Sequence, residues 1–149
     1  MKNMKEMVSY LNSINDTEDL RYDDCIQHSY INEDSYKKIL NKVLSLEEIP
    51  KRVVDVGSNL NQYAFLFENE GIDYIGIDLW NATRYMKPYE SKNAKFIGAR
   101  YEDISELFKD DVIISNLCIN YLVNIEDVKS KHLITNELVN GVFEAKLWW

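Results

Sequence analysis

The chain reads as an α/β protein: an open, doubly wound, mostly parallel sheet of five strands preceded by N-terminal helices. Three observations predict this. Short β-branched runs, beginning with Arg52-Val-Val-Asp-Val-Gly57, recur along the chain and close on Gly, Asp or Ser. Stretches with apolar residues three and four apart lie between them, and such alternation means parallel pairing through crossovers. The 149 residues suit one domain at about 150 residues each.

The elements follow in order. Met4, Met7, Val8, Leu11 and Ile14 form one apolar stripe and predict a helix over 2–14. Residues 16–34 carry seven acids against one Arg and read as a solvated connector. We therefore divide the chain into residues 1–34, a helix and acidic connector expected to lid a pocket, and 35–149, the sheet domain. Tyr36, Ile39, Leu40, Val43 and Leu44 share one face of a second helix, which Asp34 or Ser35 caps and Pro50 ends. Arg52–Gly57 is the first strand, and 60–70 the helix after it, stopped by Gly71. Asp73–Asp78 is the second strand. Residues 80–91 are a loop or short helix broken by Pro88, 94–99 the third strand, 104–108 a short helix and 111–115 the fourth strand. Residues 124–139 are expected to be a helix with Asn124 as its N-cap and Gly141 as its stop, leaving 142–148 as the fifth strand.

Composition excludes several classes. Lys and Arg total 17 and Asp and Glu 25, so the net charge of −8 repels nucleic-acid phosphates. The 46% of apolar residues supports a core, yet no run reaches the ~18 residues of a membrane span. Residues 1–12 have no apolar h-region and do not read as a secretory signal. Cys25 and Cys118 stand far apart without CxxC spacing, so we expect neither a disulfide nor a metal site, and a cytoplasmic chain.

In a doubly wound sheet, ligands sit beyond the carboxyl ends of the strands. Asp55-Val-Gly57-Ser58-Asn59 ends the first strand, where a glycine permits a sharp turn and close ligand approach. The following helix would aim its first amides at that ligand. Asp78 ends the second strand 21 residues after Gly57, and its two oxygens suit the paired hydroxyls of a ribose. An ordinary strand-to-helix turn and a strand-terminal Asp show each feature singly; the fold brings both to one crevice.

VVDVGSN, YIGIDLW, AKFIGARYEDI and DVIISNL together resemble the class I S-adenosylmethionine-dependent methyltransferase core, a Rossmann-like fold, over about residues 35–149. The resemblance implies that Asp55, Gly57, Ser58 and Asn59 hold the methionine part of S-adenosylmethionine. It implies Asp78 for the ribose, Leu79, Tyr101 and Glu102 for the adenine, and Asn116 and Leu117 beside the transferable methyl. The pattern also departs from the family. The turn has one glycine where the family has two or three, Arg100 stands where an acid is common, and five strands replace seven, the last two being absent. Arg100 cannot accept from the adenine amine but can stack on the ring.

Methyl transfer is an in-line displacement that depends mostly on positioning. Residues 115–121 hold no acid and no Asn/Asp-Pro-Pro-aromatic box, so nucleic-acid bases are not the expected acceptor. Asn120 and Tyr121 can orient an acceptor or simply pack. His28, between Tyr22 and Tyr30, is a candidate base in the lid, whereas His132, beside Lys129 and Lys131, reads as solvated. Cys118 has no histidine spaced to activate it and reads as an inert thiol. The leading expectation is a methyltransferase acting on a small molecule. A non-catalytic relative working through protein contacts competes with it, favoured by the single glycine and Arg100. A nicotinamide dinucleotide protein would need GxGxxG, which Gly57-Ser-Asn-Leu-Asn-Gln62 is not. The apolar end Leu147-Trp148-Trp149 predicts an exposed edge strand covered in a homodimer.

Overall fold

A computed structural model describes residues 33–59, 61, 63–119 and 122–149. The helix expected over 2–14, the acidic connector with His28, and Asn120 and Tyr121 lie outside these residues. The described elements are helix α1 (Glu33–Leu44), β1 (Arg52–Val56), α2 (Phe65–Glu68), β2 (Asp73–Asp78), α3 (Trp80–Met86), β3 (Ala94–Gly98), α4 (Tyr101–Ile104), β4 (Val112–Ser115), β5 (His132–Val139) and β6 (Val142–Leu147). Short 3₁₀ turns at Lys87–Tyr89, Ser105–Phe108 and Ile125–Asp127 join them. The strands form one six-stranded sheet in the order β3-β2-β1-β4-β5-β6, parallel except for the β5–β6 pair. The chain thus runs outward from β1 in both directions, which opens a crevice at the carboxyl end of β1.

Alternation along the strands loads both faces. Val53 and Tyr74 point to one side, where Tyr36, Ile39 and Val43 of α1, Phe67 of α2 and Met86 of α3 cover them. Val54, Val56 and Ile77 point to the other, beneath Tyr101, Phe108, Ile119 and Val128. Burying Ile39, Leu40 and Val43 of α1 stabilises by roughly 1.5–3 kcal/mol each, which anchors a helix whose other face is charged. Gly71, at φ 72°, ends the α2 region as expected.

Three expectations are corrected. Residues 124–139 are not a helix: one 3₁₀ turn follows Asn124, and His132–Val139 is β5. Leu133-Ile134-Thr135, with Ile134 and Thr135 β-branched, lies in the buried part of this strand, and Asn140-Gly141, both at positive φ (51° and 78°), is a two-residue hairpin turn rather than a helix stop. The sheet accordingly has six strands, not five, and the last is reversed. Among the described residues after β1, the helix expected over 60–70 is present only as Phe65–Glu68, and Asn61, Tyr63 and Ala64 are not helical.

Candidate functional site

Gly57 leaves β1 at φ 76°, a conformation that suits glycine. A Cβ there would lie 2.2 Å from Cys118 Sγ, so the turn after β4 packs directly onto the turn after β1. The Gly57 and Ser58 N–H groups both donate to the Ile77 carbonyl, at 2.8 and 3.0 Å. The Asn59 N–H donates to Asp78 Oδ2 at 2.8 Å, and the Leu79 N–H to Oδ1 at 2.7 Å. The β1 turn is therefore stitched to the end of β2, and Asp78 is held at the point of contact.

Over this junction lies a cavity of about 320 Å³, at the low end of small-molecule sites. Val56 and Ile77 form its apolar floor; Gly57, Asp78, Leu79, Tyr101 and Glu102 line it with Ala99, Arg100, Cys118 and Leu122. Tyr101 Oη is buried without a hydrogen-bond partner among the described residues, and burial raises its pKa. Burial, followed by the charges of Asp78 and Asp55, pushes the Cys118 thiol up to about 12, so it stays protonated and is a poor nucleophile.

The remaining residues singled out from the sequence lie elsewhere. Asp55 is wholly buried on the opposite face of the sheet from the cavity floor. Its Oδ2 accepts from Tyr36 Oη at 2.7 Å, from Tyr74 Oη in a short contact and from Asn61 Nδ2 at 3.5 Å. Its Oδ1 has no hydrogen-bond partner among the described residues. Burial outweighs the three donors and raises Asp55 to about 6. Ser58 is buried beneath the turn, and Gly76 leaves the space into which its hydroxyl fits. Asn116 is buried and accepts from Asn136 Nδ2 at 3.0 Å. Leu117, at φ 57°, borders a separate cavity of about 290 Å³ with Ile125, Thr135 and Trp148. His132 lies on β5, not on a helix, with Nδ1 2.9 Å from the Trp149 carbonyl oxygen.

The tyrosine clamp on Asp55 was missed in the sequence. Its signal was there: Tyr74 sits two residues before Gly76, the partner of Asp55 in the β1–β2 register, so both side chains share a face. Among the described residues no group of three His, Cys, Asp or Glu is placed to hold a metal ion. No described helix is long and apolar enough to cross a membrane.

No protein-family profile matches the sequence, and no curated protein does. Solved structures do match in shape. A SAM-dependent methyltransferase from Thiobacillus denitrificans in complex with S-adenosyl-L-homocysteine superposes with a TM-score of 0.53 at 20% identity, over 74% of this chain and 51% of that one. The N-terminal domain of EvdMO1 with SAH bound gives 0.56 at 13% identity, over 76% and 57%. The plantazolicin methyltransferase BamL, in complex with a triazolic desmethylPZN analog and SAH, gives 0.50 at 21%, over 90% and 51%. The chain spans about half the length of these structures. The likeness agrees with the mixed sheet and its terminal antiparallel pair, and the chain has the fold of the S-adenosylmethionine-dependent methyltransferases.

Proposed function

We propose that the cavity over the β1–β2 junction binds S-adenosylmethionine and that the chain is a methyltransferase acting on a small molecule. One observation carries this reading: Asp78, fixed by two backbone amides, lines a cavity of about 320 Å³ together with Tyr101, whose buried hydroxyl has no hydrogen-bond partner among the described residues. The two oxygens of a carboxylate are acceptors of the kind the paired hydroxyls of a ribose need. Leu79 and Ile77 supply apolar contact for a purine, Arg100 a guanidinium to stack on it, and Tyr101 Oη a partner for a ring nitrogen. Bound there, the sulfonium would supply an activated methyl group. The chain's part is to orient it and keep water from the apolar floor. Nothing in this assigns Asp55 a direct contact: its role is to hold Tyr36 of α1 against β1.

The test is thermal unfolding with S-adenosylmethionine, S-adenosylhomocysteine and NAD. A ligand at 100 times its Kd stabilises by about 2.7 kcal/mol. We expect both adenosyl ligands to raise the Tm, NAD not to, and Asp78→Ala to remove the shift while folding normally. No shift with saturating S-adenosylmethionine would refute the reading.

A non-catalytic member of this fold is the second reading, and a specific observation favours it. The Gly57, Ser58 and Asn59 amides are spent within the protein, and α2 starts too late to present its own to the cavity. Among the described residues the methionine end of the cofactor therefore meets few donors. Transfer of labelled methyl to a panel of small hydroxyl, amine and thiol acceptors separates the readings: cofactor binding without transfer supports the second.

A further inference from the structure

We propose that Ser115 is a positioning residue of the cavity over the β1–β2 junction, its one hydroxyl holding together two segments that line it. The proposal rests on reading that cavity as the S-adenosylmethionine site. Strands β1 and β4 pair as far as Asp55 and Ile114. One residue further, Ser115 Oγ donates to the Val56 carbonyl at 2.8 Å. The same oxygen accepts from the Ile119 N–H at 2.9 Å. A hydroxyl has one proton to give and lone pairs to accept with, so both bonds coexist. Val56, Ser115 and Ile119 are all wholly buried, so the main-chain groups that Ser115 satisfies are shut away from bulk water, and losing the hydroxyl would leave them unpaired at a cost.

The segments joined by this hydroxyl carry the cavity's lining. Val56 and Gly57 at the end of β1 and Cys118 in the turn after β4 all border it. Cys118 falls between Ser115 and Ile119, inside the turn that the hydroxyl closes. Its Sγ and Cβ fill the space beside Gly57, where an added Cβ would meet them at 2.2 and 2.6 Å. Leu117 in the same turn stands at φ 57°, a left-handed conformation unfavourable for a residue with a side chain. Such a conformation persists where the surrounding structure over-determines it. Two ties do so here: Ile119 N–H to Ser115 Oγ, and Asn136 Nδ2 of β5 to Asn116 Oδ1 at 3.0 Å. Without the hydroxyl the turn relaxes, Cys118 withdraws from Gly57, and the lining loses its shape.

The test measures S-adenosylhomocysteine affinity by calorimetry and Cys118 alkylation at pH 8 by peptide mass spectrometry, both on the full chain. In Ser115→Ala we expect the affinity to fall roughly tenfold. We also expect Cys118 to react faster than the variant's loss of global stability, read from urea unfolding, accounts for. Ser115→Thr keeps the hydroxyl and should restore both. Val43→Ala removes packing from the cluster under α1 and should leave the affinity unchanged. In the wild-type chain the Ile119 amide should exchange with solvent as slowly as the amides of β4, an outcome that needs no variant. A Ser115→Ala chain with wild-type affinity and a protected Cys118 overturns the proposal, and so does fast exchange at Ile119. A wild-type chain that binds no S-adenosylhomocysteine refutes the cofactor reading instead, and the alkylation and exchange rates still decide the role of Ser115.

Discussion

Replacing Asp55 by Asn tests the account of the buried clamp. Asp55 is fully buried, and its carboxyl rises from 3.8 to about 6 because desolvation outweighs the hydroxyls of Tyr74 and Tyr36. Folding therefore favours the proton. The corresponding stabilisation is fully present below pH 3.8 and is lost as pH rises through about 6. The shift corresponds to about 3 kcal/mol. In Asp55→Asn the amide oxygen keeps the acceptor for both tyrosines, while the NH₂ replaces Oδ1, where no donor now stands. That substitution carries a pH-independent offset of about 1–3 kcal/mol for an unsatisfied buried donor. The pH dependence, not the offset, is diagnostic. Urea unfolding of both proteins between pH 4 and 8 should show wild type losing about 3 kcal/mol relative to the variant as pH rises, most of it between 4 and 6. Parallel profiles, or a variant that loses ground at high pH, would refute the reasoning. Tyr36→Phe removes one donor and should extend the wild-type loss to higher pH.

Two further outcomes follow from the turns and the thiol. Gly71→Ala should cost about 1–2 kcal/mol, since only the left-handed conformation opposes it; Gly57→Ala should cost more, because its Cβ would also meet Cys118 Sγ at 2.2 Å and Cβ at 2.6 Å. Cys118→Ala should not rescue Gly57→Ala, since the Cβ contact survives; chemical denaturation of the three variants measures this. Cys118, raised to about 12, should resist alkylation at pH 8 and react once denaturant unfolds the chain, as read by peptide mass spectrometry of that residue.

Much of the fold was legible before any coordinates. The runs Arg52–Val56, Asp73–Asp78, Ala94–Gly98 and Val112–Ser115 are rich in β-branched and aromatic residues that the covered faces of a parallel sheet bury, and their order implied the crevice beyond β1. The stretch 124–139 differs, because Asn124 and Gly141, which read as a helix cap and a helix stop, instead precede a 3₁₀ turn and close the β5–β6 hairpin through Asn140-Gly141. The residues of the first cavity that were read from the sequence, Gly57, Asp78, Leu79, Tyr101 and Glu102, sit at or just beyond strand ends, and connectivity alone sends strand ends to one side.

The direction in which each strand-end side chain points was not available from the sequence. Asp55 and Asp78 both stand at strand tips. One step of alternation nevertheless sends Asp55 under Tyr36 and Tyr74, away from the cavity, while Asp78 meets the amides of Asn59 and Leu79. A period of two is visible in the chain, but which face α1 covers is settled only when the helix docks. The pairing of Cys118 with Gly57 has the same origin: 61 residues separate them in sequence, and only the adjacency of β1 and β4 brings them into contact. Periodicity and turn chemistry are local and can be read along the chain, whereas facing and contact belong to the packed sheet.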